Sequence, residues 1–225
     1  VYLMAYGVVG AMHKVVSGIV LSLFGFAASA EQVTIAALGD SLTQGYGLYQ
    51  QEGFVPQLES WLKARGADVI IINAGVSGDT TAGGAARVAW TLTPEVDAMI
   101  VALGGNDVLR GVDPAVSRGN IETILQAAKA AGVEVLLIGL KVSGNYGPDY
   151  KAEFDAIYPE LAAAHGTLYA ESFFAGIEGE TGDPAEMRAF LQDDGLHPNP
   201  EGVKRIVENL GPSVLDLIER AGGSQ

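Results

Sequence analysis

The sequence predicts an α/β fold: a three-layer, doubly wound sandwich around a mainly parallel, five-stranded sheet. Three observations predict it. Short aliphatic or β-branched runs recur along the chain, amphipathic stretches of helical length separate them, and no repeat, linker or low-complexity tract divides the pattern. The runs are almost continuously apolar rather than alternating, which marks strands covered on both faces.

Taken in order, the predicted strands are 33–38 ("VTIAAL"), 69–73, 98–103, 133–140 and 167–170. The helices between them are 54–65, 80–91, 113–131 and 149–165, and a last helix spans 200–221. Asn199 and Pro200 read as N-cap and first residue of that last helix, because proline at the first helical position removes an N–H that has no partner there.

The first thirty residues are unlike the rest. They contain no Asp or Glu, and Lys14 precedes the apolar run "SGIVLSLFGFA", which ends in Ala28-Ser29-Ala30. This small-x-small ending predicts a cleaved export signal, with cleavage between Ala30 and Glu31. The strongly apolar part, residues 15–27, is shorter than the roughly 20 residues that span a bilayer, so no membrane anchor is expected in the mature form. The expected organisation is therefore an extension and signal peptide over 1–30 and one domain over 31–225.

Composition narrows the function. Asp and Glu number 27 against 13 Lys and Arg, and no basic run exists to neutralise phosphates, which argues against a nucleic-acid partner. The absence of cysteine excludes disulfides, Cys-based metal sites and thiol catalysis.

In open parallel sheets, ligands bind beyond the C-terminal ends of the strands. Here those loops read "GDSLTQGYG", "AGVSGDTTAGG", "GGNDVLRG" and "KVSGNYGPDY", with "DDGLHPN" before the last helix. The loops at the opposite edge ("RGAD", "TPEVD", "AAGVE", "AAAHGT") are plainer. Ser41, at the end of the first strand, is either a turn serine capping a helix or a nucleophile. Of three histidines, His13 belongs to the leader and His165 ends a helix before Gly166. His197 stands three residues after Asp194, where a tight turn lets the carboxylate accept the imidazole Nδ1–H and leaves Nε2 free as a base. The alternative is an acidic surface turn that contains a histidine. An oxyanion would find donors in the Ser41 N–H, the Gly78 N–H and the Asn106 side-chain amide, although Gly78 also suits a flexible joint and Asn106 a turn.

The blocks "GDSLTQGYG", "NAGVSGDTT", "ALGGNDVLRG" and "DDGLHPN" resemble, in order and spacing, those of the SGNH (GDSL) hydrolase family. With "NYGPDYKAEFDAIYPELA" they look most like its bacterial periplasmic branch of arylesterases, thioesterases and lysophospholipases. The resemblance implies a flavodoxin-like sheet, and serine esterase activity on aryl esters, acyl thioesters or lysolipids without metal or cofactor. It implies Ser41 as nucleophile and oxyanion donor, Gly78 and Asn106 as further donors, His197 as base and Asp194 as its orienting carboxylate. Leu42, Leu109, Val142 and Tyr146, all in strand-end loops, are the expected lining of an acyl pocket. The readings set against this are a carbohydrate O-acetylesterase with the same blocks, a metal-dependent phosphatase built on Asp40, Asp79, Asp194 and His197, and a non-catalytic lipid- or glycan-binding protein.

Overall fold

The computed structural model describes residues 1–2, 32–178 and 184–223. The predicted leader and its cleavage point lie outside the described residues. The strands are β1 Val33–Gly39, β2 Val69–Gly75, β3 Ala98–Ala102, β4 Glu134–Ile138 and β5 Leu168–Ala170. The helices are α1 Ser41–Gln44, α2 Phe54–Lys63, α3 Thr81–Thr91, α4 Gly105–Leu109, α5 Pro114–Ala130, α6 Pro148–His165, α7 Pro184–Arg188 and α8 Pro200–Gly223. The sheet order is β2-β1-β3-β4-β5 with every pair parallel, the flavodoxin-like order whose direction reverses between β1 and β3.

Apolar residues fill both faces. On one side Val33, Ile35 and Ala37 of β1 meet Phe54, Leu58 and Leu62 of α2 and the α8 stripe Val203, Ile206, Leu210, Val214 and Leu217. On the other, Ala36 and Leu38 meet Val88 of α3, Ile121, Ile124 and Leu125 of α5, and Phe154, Ile157 and Tyr158 of α6. The alternation along β1 sends successive side chains into two different cores, so its apolar run is unbroken.

The edge strands are the exceptions, with Ile70 and Ile72 of β2 and Tyr169 of β5 left partly open to solvent. The free edge of β2 is blunted: Glu59 of α2 accepts the Ile71 N–H at 2.8 Å, occupying a donor that another strand could have used.

Buried polar contacts tie the helices to the catalytic edge. The Asp107 carboxylate, 1 % exposed, accepts from the Thr81 N–H (2.8 Å), the Thr81 hydroxyl (2.6 Å) and the Ser117 hydroxyl (3.0 Å). One carboxylate thereby joins the N-terminus of α3, the body of α4 and the first turns of α5. Thr81→Val keeps the shape and removes two hydrogen bonds, the one to the buried Asp107 carboxylate and the one Asn120 Nδ2 donates to the hydroxyl at 3.0 Å, which is expected to cost about 1.5–3 kcal/mol. Urea unfolding of parent and variant measures it; a difference below about 0.5 kcal/mol would show that this network is not a structural tie.

Candidate active site

The site is assembled where β1 and β3 end. Asp40 leaves β1 as N-cap of α1, its Oδ1 accepting the Leu42 N–H at 3.0 Å. That leaves Ser41 as the first residue of a helix, with its own N–H among the donors that a helix cannot satisfy internally. The last loop brings His197 across 156 positions to Ser41: Nε2 lies 2.9 Å from Oγ. On the other side of the ring, Nδ1 lies 2.6 Å from Asp194 Oδ2.

The Asp-x-x-His turn is held by the same carboxylate. Asp194 Oδ1 accepts the N–H of Leu196 (2.9 Å) and of His197 (3.0 Å). The His197 N–H, the His197 ring and the Leu196 N–H together lower the Asp194 pKa to about 2. The ring itself is shielded, its side chain 18 % exposed, and packs against Tyr46 with centroids 4.7 Å apart.

Asn106, near the start of α4, donates one amide hydrogen to Asp40 Oδ2 at 3.2 Å. Its side-chain amide has a second hydrogen to offer. Asp40 is 3 % exposed; burial raises its pKa, against the lowering effect of the Leu42 and Asn106 hydrogen bonds. Asp107 does not reach the site; its oxygens are committed to α3 and α5.

Gly78 lies in a four-residue turn closed by the Asp79 N–H on Val76 O at 3.0 Å, with φ of 80° at its third position. That φ is the mark of a type II turn, in which the central peptide faces opposite to a type I turn. The reason for glycine therefore differs from the sequence expectation of close approach. A Cβ here would meet only Arg110 Nη2, at an ordinary 3.8 Å, so backbone conformation and not space requires the residue. The turn sets which way the Gly78 N–H points.

Ser41, His197, Gly78 and Asn106 border one cavity of about 600 Å³ whose far wall is apolar, including Ile138, Phe173 and Leu191. Leu42, Leu109 and Val142 line it as the sequence suggested. Tyr146 does not. Its ring lies 5.0 Å from Tyr150 and covers Gly111, where a Cβ would meet the ring at 3.0 Å. The four groups of the metal alternative do not gather. Asp79 pairs with Arg87, Asp40 holds Asn106 and Leu42, and no metal-binding cluster of three or more His, Cys, Asp or Glu occurs among the described residues.

Three supporting residues were not anticipated. Arg87 donates through Nε to Asp79 (2.7 Å), through Nη1 to Ala74 O (2.7 Å) and through Nη2 to Gly39 O (2.9 Å). Gln192 joins the serine and histidine loops: its N–H meets His197 O at 2.7 Å, and its amide meets Tyr46 O at 2.9 Å and Pro198 O at 3.0 Å. The buried Tyr158 hydroxyl donates to Leu103 O at 2.8 Å beneath Gly104, where φ is 122° and a Cβ would overlap that oxygen.

Residues 37–205 match the GDSL-like lipase/acylhydrolase family. The chain belongs to that family. Among its relatives are Esterase TesA of Pseudomonas aeruginosa, 37 % identical over 82 % of this chain and 89 % of that protein, and the Thioesterase 1/protease 1/lysophospholipase L1 of Escherichia coli, 32 % identical over 88 % of this chain and 90 % of that protein. The crystal structure of the psychrotrophic esterase EstA from Pseudoalteromonas, inhibited by monoethylphosphonate, superimposes with a TM-score of 0.74 at 29 % identity over 83 % of this chain and 98 % of that one. This GDSL hydrolase is accordingly an enzyme of ester bonds, and its sheet is the one those structures share.

The lowered Asp194 pKa has a consequence with a definite sign. The folded value lies below the ordinary carboxylate value near about 4, so the stability this group contributes is complete above about pH 4. It is lost as the pH falls towards about 2. In urea unfolding across that range, the stability gap between parent and Asp194→Asn is expected to close as the pH drops; a gap that stays constant would sink this account.

Proposed function

We propose that Ser41, His197 and Asp194 carry out two-step acyl transfer to water, with the Ser41 N–H, the Gly78 N–H and the Asn106 amide holding the oxyanion. The observation that carries this reading is the 2.9 Å contact of His197 Nε2 with Ser41 Oγ, with Asp194 on the opposite ring nitrogen. His197 takes the hydroxyl proton as Oγ attacks the acyl carbonyl, and Asp194 holds the tautomer and stabilises the imidazolium that forms. Collapse of the tetrahedral intermediate breaks the acyl–leaving-group bond, and the imidazolium protonates the departing oxygen or sulfur. Water then repeats the sequence on the acyl-enzyme, its proton passing to His197 and back to Ser41.

The substrate is a small-molecule carboxylic ester with an apolar acyl chain, such as an aryl ester or a lysolipid. The apolar cavity beyond Ser41 supports this, with Leu42, Leu109 and Val142 on its wall. The names of the relatives in Pseudomonas and Escherichia point the same way. Residues 1–30 act as a leader that exports the domain over 31–225 to the periplasm. Within the described residues no helix is long and apolar enough to cross a membrane. An exported enzyme seldom meets cytosolic acyl thioesters, which favours oxygen esters.

The test is hydrolysis of p-nitrophenyl esters from acetyl to palmitoyl. Ser41→Ala is expected to abolish turnover, and Asn106→Ala to lower kcat by about 10²–10³ with little change in KM. Turnover should rise beyond acetyl. Serine-independent hydrolysis would overturn the mechanism, and activity confined to acetyl would instead favour acetylated glycans.

A further inference from the structure

Arg110 is a cation beside the Gly78 turn that the reaction scheme leaves unused. It is exposed and ends α4, the helix that carries Asn106. Its guanidinium reaches back over the Gly78 turn, Nη2 donating to Gly78 O at 2.8 Å. The bond joins two segments that leave different strands: the turn after β2, which presents the Gly78 N–H, and the helix after β3, which presents the Asn106 amide.

The two segments are held unequally. α4 is fixed from beneath through Asp107 and from the side through Asp40. The turn is fixed at its foot, where Arg87 grips Asp79 and Ala74 O. Its tip, Val76 to Gly78, is exposed: the Val76 N–H donates to Gly39 O at 3.0 Å and the Ser77 hydroxyl to Gln44 Oε1 at 2.9 Å, both on the β1 side, and Arg110 is what ties Gly78 to α4. A displacement of a catalytic group by about 1 Å costs on the order of 10²-fold in rate. A tip free to swing would thus lose much of its value as a donor.

We infer that Arg110 is a positioning residue of the oxyanion site, holding the Gly78 turn at a set distance from Asn106 so that both donors face one oxygen. This rests on the assignment of Gly78 and Asn106 as oxyanion donors. The other use of an exposed guanidinium here is to bind an anionic head group. The commitment of Nη2 to a backbone carbonyl favours positioning.

The experiment is steady-state kinetics on p-nitrophenyl butyrate, which carries no head group, with a lysophospholipid as second substrate. Arg110→Met is expected to lower kcat by about tenfold on both substrates with KM within about twofold, a smaller loss than that of a deleted donor. Arg110→Lys, which can still donate once to Gly78 O, should retain most of the activity. Free methylguanidinium should restore part of the kcat of Arg110→Ala. In a Gly78→Ala background, Arg110→Met should cost less than about twofold more, because both changes act on one element. A parental kcat in Arg110→Met, a loss confined to the lysophospholipid, or a full additional loss in the Gly78→Ala background overturns the inference. If Gly78→Ala itself turns over like the parent while Ser41→Ala is inactive, the donor assignment of Gly78 falls, and this inference with it. If Gly78→Ala is slow but Arg110→Met is parental, only this inference falls.

Discussion

One guanidinium sets the frame on which the catalytic edge is built. Arg87, reaching up from α3, binds the last carbonyl of β1, the penultimate carbonyl of β2 and the carboxylate of Asp79. Gly39 O lies two residues before Ser41, the proposed nucleophile, and Asp79 directly follows the proposed oxyanion glycine. Strand ends at a sheet edge are where backbone carbonyls run out of partners, and leaving a shielded one unpaired costs about 1–3 kcal/mol. Lysine could meet one of these groups. The planar fork of arginine meets three at once and so fixes their mutual geometry.

The same solution recurs along the edge. Tyr158 satisfies Leu103 O beneath the Asn106 loop, Gln192 satisfies Tyr46 O, His197 O and Pro198 O between the serine and histidine loops, and Asp107 gathers the start of α3. Each supporting residue makes at least one side-chain bond to backbone, and each reaches a loop from an element packed in the body of the fold or from the facing loop. Five segments therefore converge although the site has no covalent or metal tie among its described residues. The apolar cores supply stability without direction; these bonds supply direction, which acyl transfer requires because its donors must be in place before charge develops.

That division explains what could be read from the chain. Strand and helix positions were legible because burial on both faces writes an apolar run into the central strands, and the element ends moved by only a residue or two. The residues proposed to react were legible because that chemistry draws on particular residue types in loops at one sheet edge. The helices Ser41–Gln44, Gly105–Leu109 and Pro184–Arg188 were not, since four or five residues are too few for a period. Nor were Arg87, Tyr158 and Gln192: most of their partners are main-chain atoms, and a carbonyl has no letter. Tyr146 was misplaced for a related reason. An aromatic ring in a strand-end loop can face the cavity or fold over a neighbouring glycine, and only the positions of Gly111 and Tyr150 decide between them.

Gly78 shows how a correct residue can rest on an incomplete reason. Space does not demand glycine there; the sign of φ does. A type I turn at the same four residues would keep the chain path and the Asp79-to-Val76 hydrogen bond while turning the central peptide over. The Gly78 N–H would then point the opposite way, and the proposed oxyanion site would lose that donor without any atom of the proposed triad moving. In the proposed mechanism, catalytic competence thus rests on the orientation of a single exposed peptide as well as on the triad. Arg87 at the foot of that turn and Arg110 at its tip hold the peptide whose orientation the proposed mechanism needs.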